Sequence, residues 1–403
     1  MKRLLFIMDN FPLGGIAKSQ LALFNEIEDQ YEIDFLLFHK EGLFVPLIPK
    51  SVNTITGVIE DEFRNPHPKF AFKHLKSMKF YRWLKWCLFS MRCTMAKLTG
   101  GLHKMVCTMD EQYALLSRSI DKHYDAAIAY QGGRCIYYLV EKVNADIKIG
   151  YVHNDYSASE VDWMMKPSDS KYFPKLDSIV TISPECVASL HREFPELKEK
   201  CVVVENICSP KMIKSMAQDG ETFTDNYLGT RLITMGRFDI NQKGIDFAID
   251  ACRILKDKGV EFKWYFLGEG AERPMVEKLI KEAGVEDRFI LLGAKTNPYP
   301  FIKDADIYVQ PSRFEGKSVA LDEVKALAKP VVVTNFSTVF DQFTDGKTAL
   351  VAKMEPKDIA SKIEELITNA ELRTIFSDNL KNEKVGNEEQ AEVFTSLLTK
   401  KRV

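Results

Sequence analysis

The 403-residue chain is predicted to be an α/β protein of two domains, each a parallel sheet with helices on both faces. Three observations predict this class. Apolar strand-like runs alternate with helical runs from the first residues and again from about residue 231; the helical runs keep their apolar residues three and four apart; and a more polar stretch divides the chain near its middle.

In chain order, "RLLFIMD" reads as a first strand and "NFPLGG" as a loop. A helix follows from about Ala17 to Glu28, then the strand "EIDFLLFH", which completes a βαβ unit. "IGYVHNDYSAS" places His153 just after another apolar strand. The polar stretch 209–230 reads as an interdomain linker. Beyond it come "RLITMG", a helix whose Ile245, Ala248, Ile249 and Cys252 share one face, "FKWYFLG", a helix from about Ala271, "FILLG" and "DIYVQP". Strands of this kind, alternating with amphipathic helices, make the second domain Rossmann-like, and the first is read the same way, with a cleft expected between them. The expected boundaries are 1–208 and 209–385, with a terminal helix at 386–403 returning towards the domain junction.

Composition excludes several classes. No run of 18 apolar residues occurs, so no membrane-spanning helix is expected, and the start "MKRLLFIMD" is too short in apolar residues for a signal peptide. Eight cysteines without a CxxC pair or a Cys/His zinc pattern fit reduced thiols and a cytoplasmic setting. With a net charge of −2, nothing points to nucleic acid globally. Residues 63–109 are the exception: ten lysines and arginines, no acid, and interleaved Phe, Tyr and Trp. Such a segment suits peripheral contact with an anionic membrane, on the inner face of the cell membrane. A helical insertion that buries its aromatics within its own domain fits too, and a single-stranded nucleic acid surface is a third reading.

Chemistry is expected where strands end. Gly14 and Gly15 precede the first helix and let backbone N–H groups approach a phosphate, although such a turn can need glycine for geometry alone. Arg237 and Lys243, in "MGRFDINQKGID", can clamp a diphosphate or stand as two solvated cations. In "FEGKSVALDE", the backbone from Gly316 to Val319, with Ser318 as N-cap and Lys317 beside it, offers a helix N-terminus to an anion. On that helix, read from Val319 to Ala328, Glu323 falls on an inner stripe with Val319, Ala320, Ala326 and Leu327. A buried carboxylate needs donors, from a protein cation or from the hydroxyls of a ligand ribose. Glu315 at the loop is placed to meet a sugar ring, and His153 to line a cleft, where a structural role also fits. Asp304 and Asp306 invite a metal reading, but one ends a helix and the other opens a strand, so no metal site is expected.

The set Gly14–Gly15, Gly236–Arg237, Lys243–Gly244 and Glu315 with seven residues to Glu323, together with "LGEG", "ADIYVQPSRFEG" and "KPVVVT", resembles the family 4 retaining glycosyltransferases of GT-B fold, most strongly from about 231 to 352. The resemblance implies two Rossmann-like domains facing across a cleft, and a sugar moved from a nucleoside-diphosphate donor, expected to be a UDP-sugar, to a saccharide or lipid-linked acceptor. It implies Gly15, Gly236, Arg237, Lys243, Gly316, Lys317, Ser318 and Val319 around the donor's phosphates, Glu323 on its ribose, Glu315 on its sugar, and the backbone of the 290–295 loop, Leu292 included, beside its base. Arg237, Lys243, Glu315 and His153 are the expected catalytic set, with no resident cofactor and no metal. "EGKS" replaces the commoner "EGFG", a variant similar to those of enzymes building bacterial surface polysaccharides. An epimerase and a non-catalytic nucleotide-sugar binder are the rival readings.

Overall fold

The computed structural model describes residues 1–12, 14–58, 80–154, 156–157, 160–315 and 318–399. The chain divides into two compact units, residues 1–207 with 387–403, and residues 208–386.

The first unit holds a seven-stranded sheet of order β3-β2-β1-β4-β5-β6-β7. Its strands are β1 Lys2–Met8, β2 Tyr31–Leu37, β3 Asn53–Ile55, β4 His123–Ala129, β5 Asn144–Val152, β6 Ser178–Thr181 and β7 Cys201–Val203. All adjacent pairs are parallel. The helices are α1 (Gly15–Ile27), α2 (Phe80–Leu116), α3 (Arg134–Lys142), α4 (Glu160–Tyr172) and α5 (Pro184–Glu193). Strand β1 is buried on both faces: Leu5 and Ile7 join the core that includes α3, while Phe6 packs edge-on to Phe24 of α1. A C-terminal helix, Gln390–Leu397, brings Phe394 within 5.8 Å of the same Phe6, so this segment belongs to the first unit's core.

The second unit is a six-stranded parallel sheet of order β10-β9-β8-β11-β12-β13. The strands are β8 Thr230–Met235, β9 Phe262–Leu267, β10 Phe289–Gly293, β11 Ile307–Gln310, β12 Val331–Thr334 and β13 Ala349–Ala352. Helices are α6 Pro210–Met216, α7 Ile240–Lys243, α8 Ile245–Asp257, α9 Arg273–Ala283, α10 Tyr299–Asp304, α11 Val319–Ala326, α12 Pro356–Thr368 and α13 Ala370–Asn382. Alternate strand residues feed separate cores on the two faces. Leu232, Trp264, Phe266 and Val309 pack with α8, α9 and α12, whereas Ile233, Leu267, Tyr308 and Val331 pack with α6, α10 and α11. The predicted stripe of α8 is buried throughout. Within the sheet the Trp264 indole donates to Thr234 Oγ1 at 2.9 Å, and that hydroxyl donates to the Val309 carbonyl at 2.7 Å, so both side chains are satisfied in the core.

Two expectations fail locally. Residues 209–230 are not a free linker. Ile213 and Ala217 are buried, Phe223 lies 4.5 Å from the Tyr265 ring, and Asp225 takes Arg231, Lys263 and the Tyr265 hydroxyl. Helix α11 ends at Ala326, and Ala328 adopts a φ of +52°, which closes the helix before Pro330. Its buried residues are Leu321, Glu323, Val324 and Ala326, so the inner stripe is rotated towards Leu321 and Val324, and Val319 and Ala320 sit at its rim.

Candidate functional site

In the second sheet the chain winds outwards in opposite directions from β8 and β11, so the crevice beyond their C-terminal ends is the place where an open α/β sheet binds ligands. The β8 end carries Gly236, Arg237 and Lys243, and the β11 end carries Ser312, Glu315 and Ser318. Backbone fit forces the loops together. Gly244 has a φ of +60°, and a Cβ there would lie 2.0 Å from the Pro311 carbonyl oxygen; a Cβ on Gly268 would lie 1.8 Å from the Gly236 oxygen. Only glycine permits either approach.

The consequence is a set of paired charges. Lys243 Nζ meets Glu315 Oε1 at 2.7 Å, and its stem runs over Gly236, 3.4 Å from where a Cβ would be. Gln310 and Ser312 also donate to Oε1, each at 2.7 Å. Oε2 receives only a 3.5 Å contact from Gln242 among the described residues, which leaves it the oxygen best able to accept a ligand hydroxyl. Arg313, bidentate to Asp246 and donating to the Ile240 carbonyl, ties α7 and α8 to this loop.

Arg237 lies on the same loop with its side chain 68% exposed, hydrogen-bonded to Asp239 at 3.1 Å. Asp239 caps α7 through Gln242 N–H, which, with Arg237, holds its carboxyl below the usual range despite partial burial. Glu323 is 2% exposed, and Tyr299 donates to it at 2.9 Å. Burial, then Glu323, keep the Tyr299 phenol protonated. Tyr299 thus meets Glu323 as a neutral donor. Ser318 occupies the N-cap position without capping through its side chain; its Oγ is 3.3 Å from Gln310 Nε2, and Gln342 holds its backbone at both ends. Val319 opens α11. Gly316 and Lys317 lie outside the described residues. Leu292 is half-buried inside β10, which runs to Gly293, so the loop expected at 290–295 begins only at Ala294. Asp304 receives Thr222 and Asp306 receives the Arg231 N–H, each in a structural role.

In the first unit the analogous switch lies between β1 and β4. There a cavity of about 450 Å³ is lined by Asp9, Asp110, Gln131, Arg134 and His153, with Ile16 beside Gly15 at the start of α1. Arg134 reaches Asp110 at 3.0 Å and Asp9 at 3.7 Å, and lies over the Tyr113 ring. Burial raises the Asp110 pKa, with Arg134 opposing it. His153 stacks on Tyr151 and its Nε2 donates to the Tyr130 carbonyl at 2.9 Å, which leaves Nδ1 as an acceptor. Burial brings its pKa down from 6.5 to about 4. It is therefore neutral near pH 7 and lends a phosphate no charge, but it can accept a sugar hydroxyl. The "QGGRC" turn at 131–135, which repeats the Gly-Gly pattern of the first βα turn, is the sequence signal for Arg134. The Tyr299–Glu323 contact and the Gln310 bridge have no local signal.

Residues 229–383 match the family model of the glycosyl transferases group 1. The alpha-D-kanosaminyltransferase of Streptomyces kanamyceticus is 28% identical over 34% of this chain, and the N-acetylgalactosamine-N,N'-diacetylbacillosaminyl-diphospho-undecaprenol 4-alpha-N-acetylgalactosaminyltransferase of Campylobacter jejuni is 23% identical over 69% of it and 73% of its own length. Of the first two curated relatives the chain spans 36% and 39%. The structure of HepE from Anabaena in complex with UDP and glucose aligns with 99% of this chain and 100% of its own, at 13% identity and a TM-score of 0.65. The two parallel-sheet units are those of a GT-B fold.

Proposed function

We propose, from the premise that residues 229–383 are a group 1 glycosyl transferase domain within a GT-B chain, that the protein moves a hexose-type sugar from a nucleoside-diphosphate donor to a saccharide or lipid-linked acceptor in polysaccharide assembly. The observation that carries the proposal is the Lys243–Glu315 pair at the β8–β11 switch, with Glu323 buried on α11 and accepting from Tyr299. The donor is read as a UDP-sugar because the HepE structure holds UDP and glucose, and a lipid-linked acceptor is read from the diphospho-undecaprenol in the name of the Campylobacter enzyme.

In the proposed step the bond between the anomeric carbon and the diphosphate oxygen breaks, and its electron pair leaves with the diphosphate. The acceptor oxygen bonds to the same face of that carbon and its proton passes to the departing phosphate, so configuration is retained. Lys243, Arg237 and the N–H groups opening α11 take the growing negative charge in place of a metal ion; one such donor is commonly worth about 3 kcal/mol. Glu315 Oε2 accepts from the donor sugar and Glu323 from the ribose hydroxyls.

The test is release of free nucleoside diphosphate from a panel of sugar nucleotides, with and without a lipid-linked acceptor, and the anomeric configuration of the product by NMR. Release that depends on acceptor, with a retained anomer, supports the reading. An inverted product overturns the stereochemistry, and interconversion of the donor sugar without transfer would make the protein an epimerase.

A further inference from the structure

Helix α2 carries two apolar stripes, and among the described residues only one is packed against the rest of the protein. The helix breaks at Gly100 and Gly101, where Gly101 has a φ of +71°. The segments on either side face one another: Trp86, Phe89 and Cys93 pack with Met105, Met109 and Leu116, and Arg92 donates to Gln112 at 2.7 Å. That contact spends the stripe 86, 89, 93, 96, whose members are at most 8% exposed. On the opposite side of the first segment, Leu84, Leu88, Met91, Met95 and Leu98 recur at steps of four and three, and stand 43%, 45%, 52%, 57% and 80% exposed. Five large apolar side chains in one exposed row are uncommon on a folded surface that has nothing to cover.

We propose that this stripe is the membrane-docking face of the protein, lying flat in the headgroup layer of an anionic bilayer. Charge selects the occupant. Residues 80–109 contain Arg82, Lys85, Arg92, Lys97 and Lys104 and no Asp or Glu. Arg92, Lys97 and Lys104 are exposed. Stripes of this spacing also pair as coiled coils, but two copies of the first segment would set cations against cations with no carboxylate between residues 80 and 109 to offset them, and the Asp110 and Glu111 that follow are engaged by Arg134 and Lys171 of their own chain. Anionic headgroups supply the missing partner, and the acyl boundary takes the leucines and methionines to a depth of roughly 5–10 Å. The geometry is in-plane: among the described residues no helix is long and apolar enough to cross a membrane. Docking stands apart from the catalytic reading, although a lipid-linked acceptor would lie in the same surface.

The test is cosedimentation of the full chain with vesicles of phosphatidylcholine alone and of phosphatidylcholine mixed with phosphatidylglycerol. Binding should be confined to the mixed vesicles and should weaken as salt rises, since each cation near the surface contributes about fivefold. The triple variant Arg92→Gln/Lys97→Gln/Lys104→Gln should lose on the order of a hundredfold in affinity. Leu88→Gln/Met95→Gln should lose binding at all salt concentrations while keeping its unfolding temperature and its nucleoside diphosphate release in detergent. Equal binding to neutral vesicles, or undiminished binding by either variant, overturns the proposal. So does a dimer in size-exclusion with light scattering that Leu88→Gln/Met95→Gln converts to monomer, which would make the stripe a self-interface.

Discussion

Lys243→Ala removes the cation at the centre of the second unit's site, and the structure sets the size of two separate effects. The Lys243 and Glu315 side chains are 19% and 7% exposed. Breaking a buried pair costs about 3–5 kcal/mol when the surviving charge is left bare. Glu315 keeps Gln310 and Ser312, so the loss should shrink to about 1.5–3 kcal/mol, the range of one hydrogen bond to a charged group. In a unit of this size that lowers the unfolding temperature by about 3–12 °C and leaves the protein folded. If Lys243 also faces the departing diphosphate, kcat should fall about 10²–10³-fold. The assay pairs nucleoside diphosphate release with a thermal melt. In the double variant Lys243→Ala/Glu315→Gln the stability loss should be less than the sum of the single losses, because the bare charge is gone, while turnover stays low. A stable Lys243→Ala protein with unchanged kcat would refute the reasoning, for the pair would then be structural only.

Glu323→Gln retains an acceptor for Tyr299 and should melt near wild type, while donor affinity measured by calorimetry falls about 10–100-fold. Tyr299→Phe, which removes a donor from a buried carboxylate, should lower stability by about 1–3 kcal/mol in chemical denaturation. The His153 pKa is depressed by burial, so the unfolded chain binds more protons than the folded one between pH 6.5 and about 4. Stability should therefore decline as pH falls through that window, and melts of His153→Gln across it should lack that component. Gly244→Ala sets a Cβ against the Pro311 carbonyl in a left-handed conformation; it should destabilise the second unit and depress turnover together, seen in the same melt and release assays.

Much of the second unit was legible because its signals are local. The buried row on α8 and the cation pair flanking its turn follow from spacing alone, and Glu323 was placed inward by the same rule. What sequence missed depends on contacts far apart in the chain. Segment 209–230 is polar in composition, yet Asp225 draws Arg231, Lys263 and Tyr265 onto it. Tyr299 meets Glu323 from another helix, and Gln310 reaches Glu315 from the end of a strand whose side chains are otherwise apolar. The α11 stripe was rotated because its first turn forms the rim of the crevice, where apolar residues need not be buried. In the first unit, the Arg134–Asp110–Asp9 cluster joins three elements that no short motif links.

The most direct measurement is calorimetric titration of UDP and of uridine into wild-type protein and Lys243→Ala. If the cations at the β8–β11 switch hold the diphosphate and Glu323 holds the ribose, wild type should bind UDP far more tightly than uridine. Lys243→Ala should then lose most of that difference while its uridine affinity stays the same. Equal losses for both ligands, or none for either, would contradict a site built around the diphosphate.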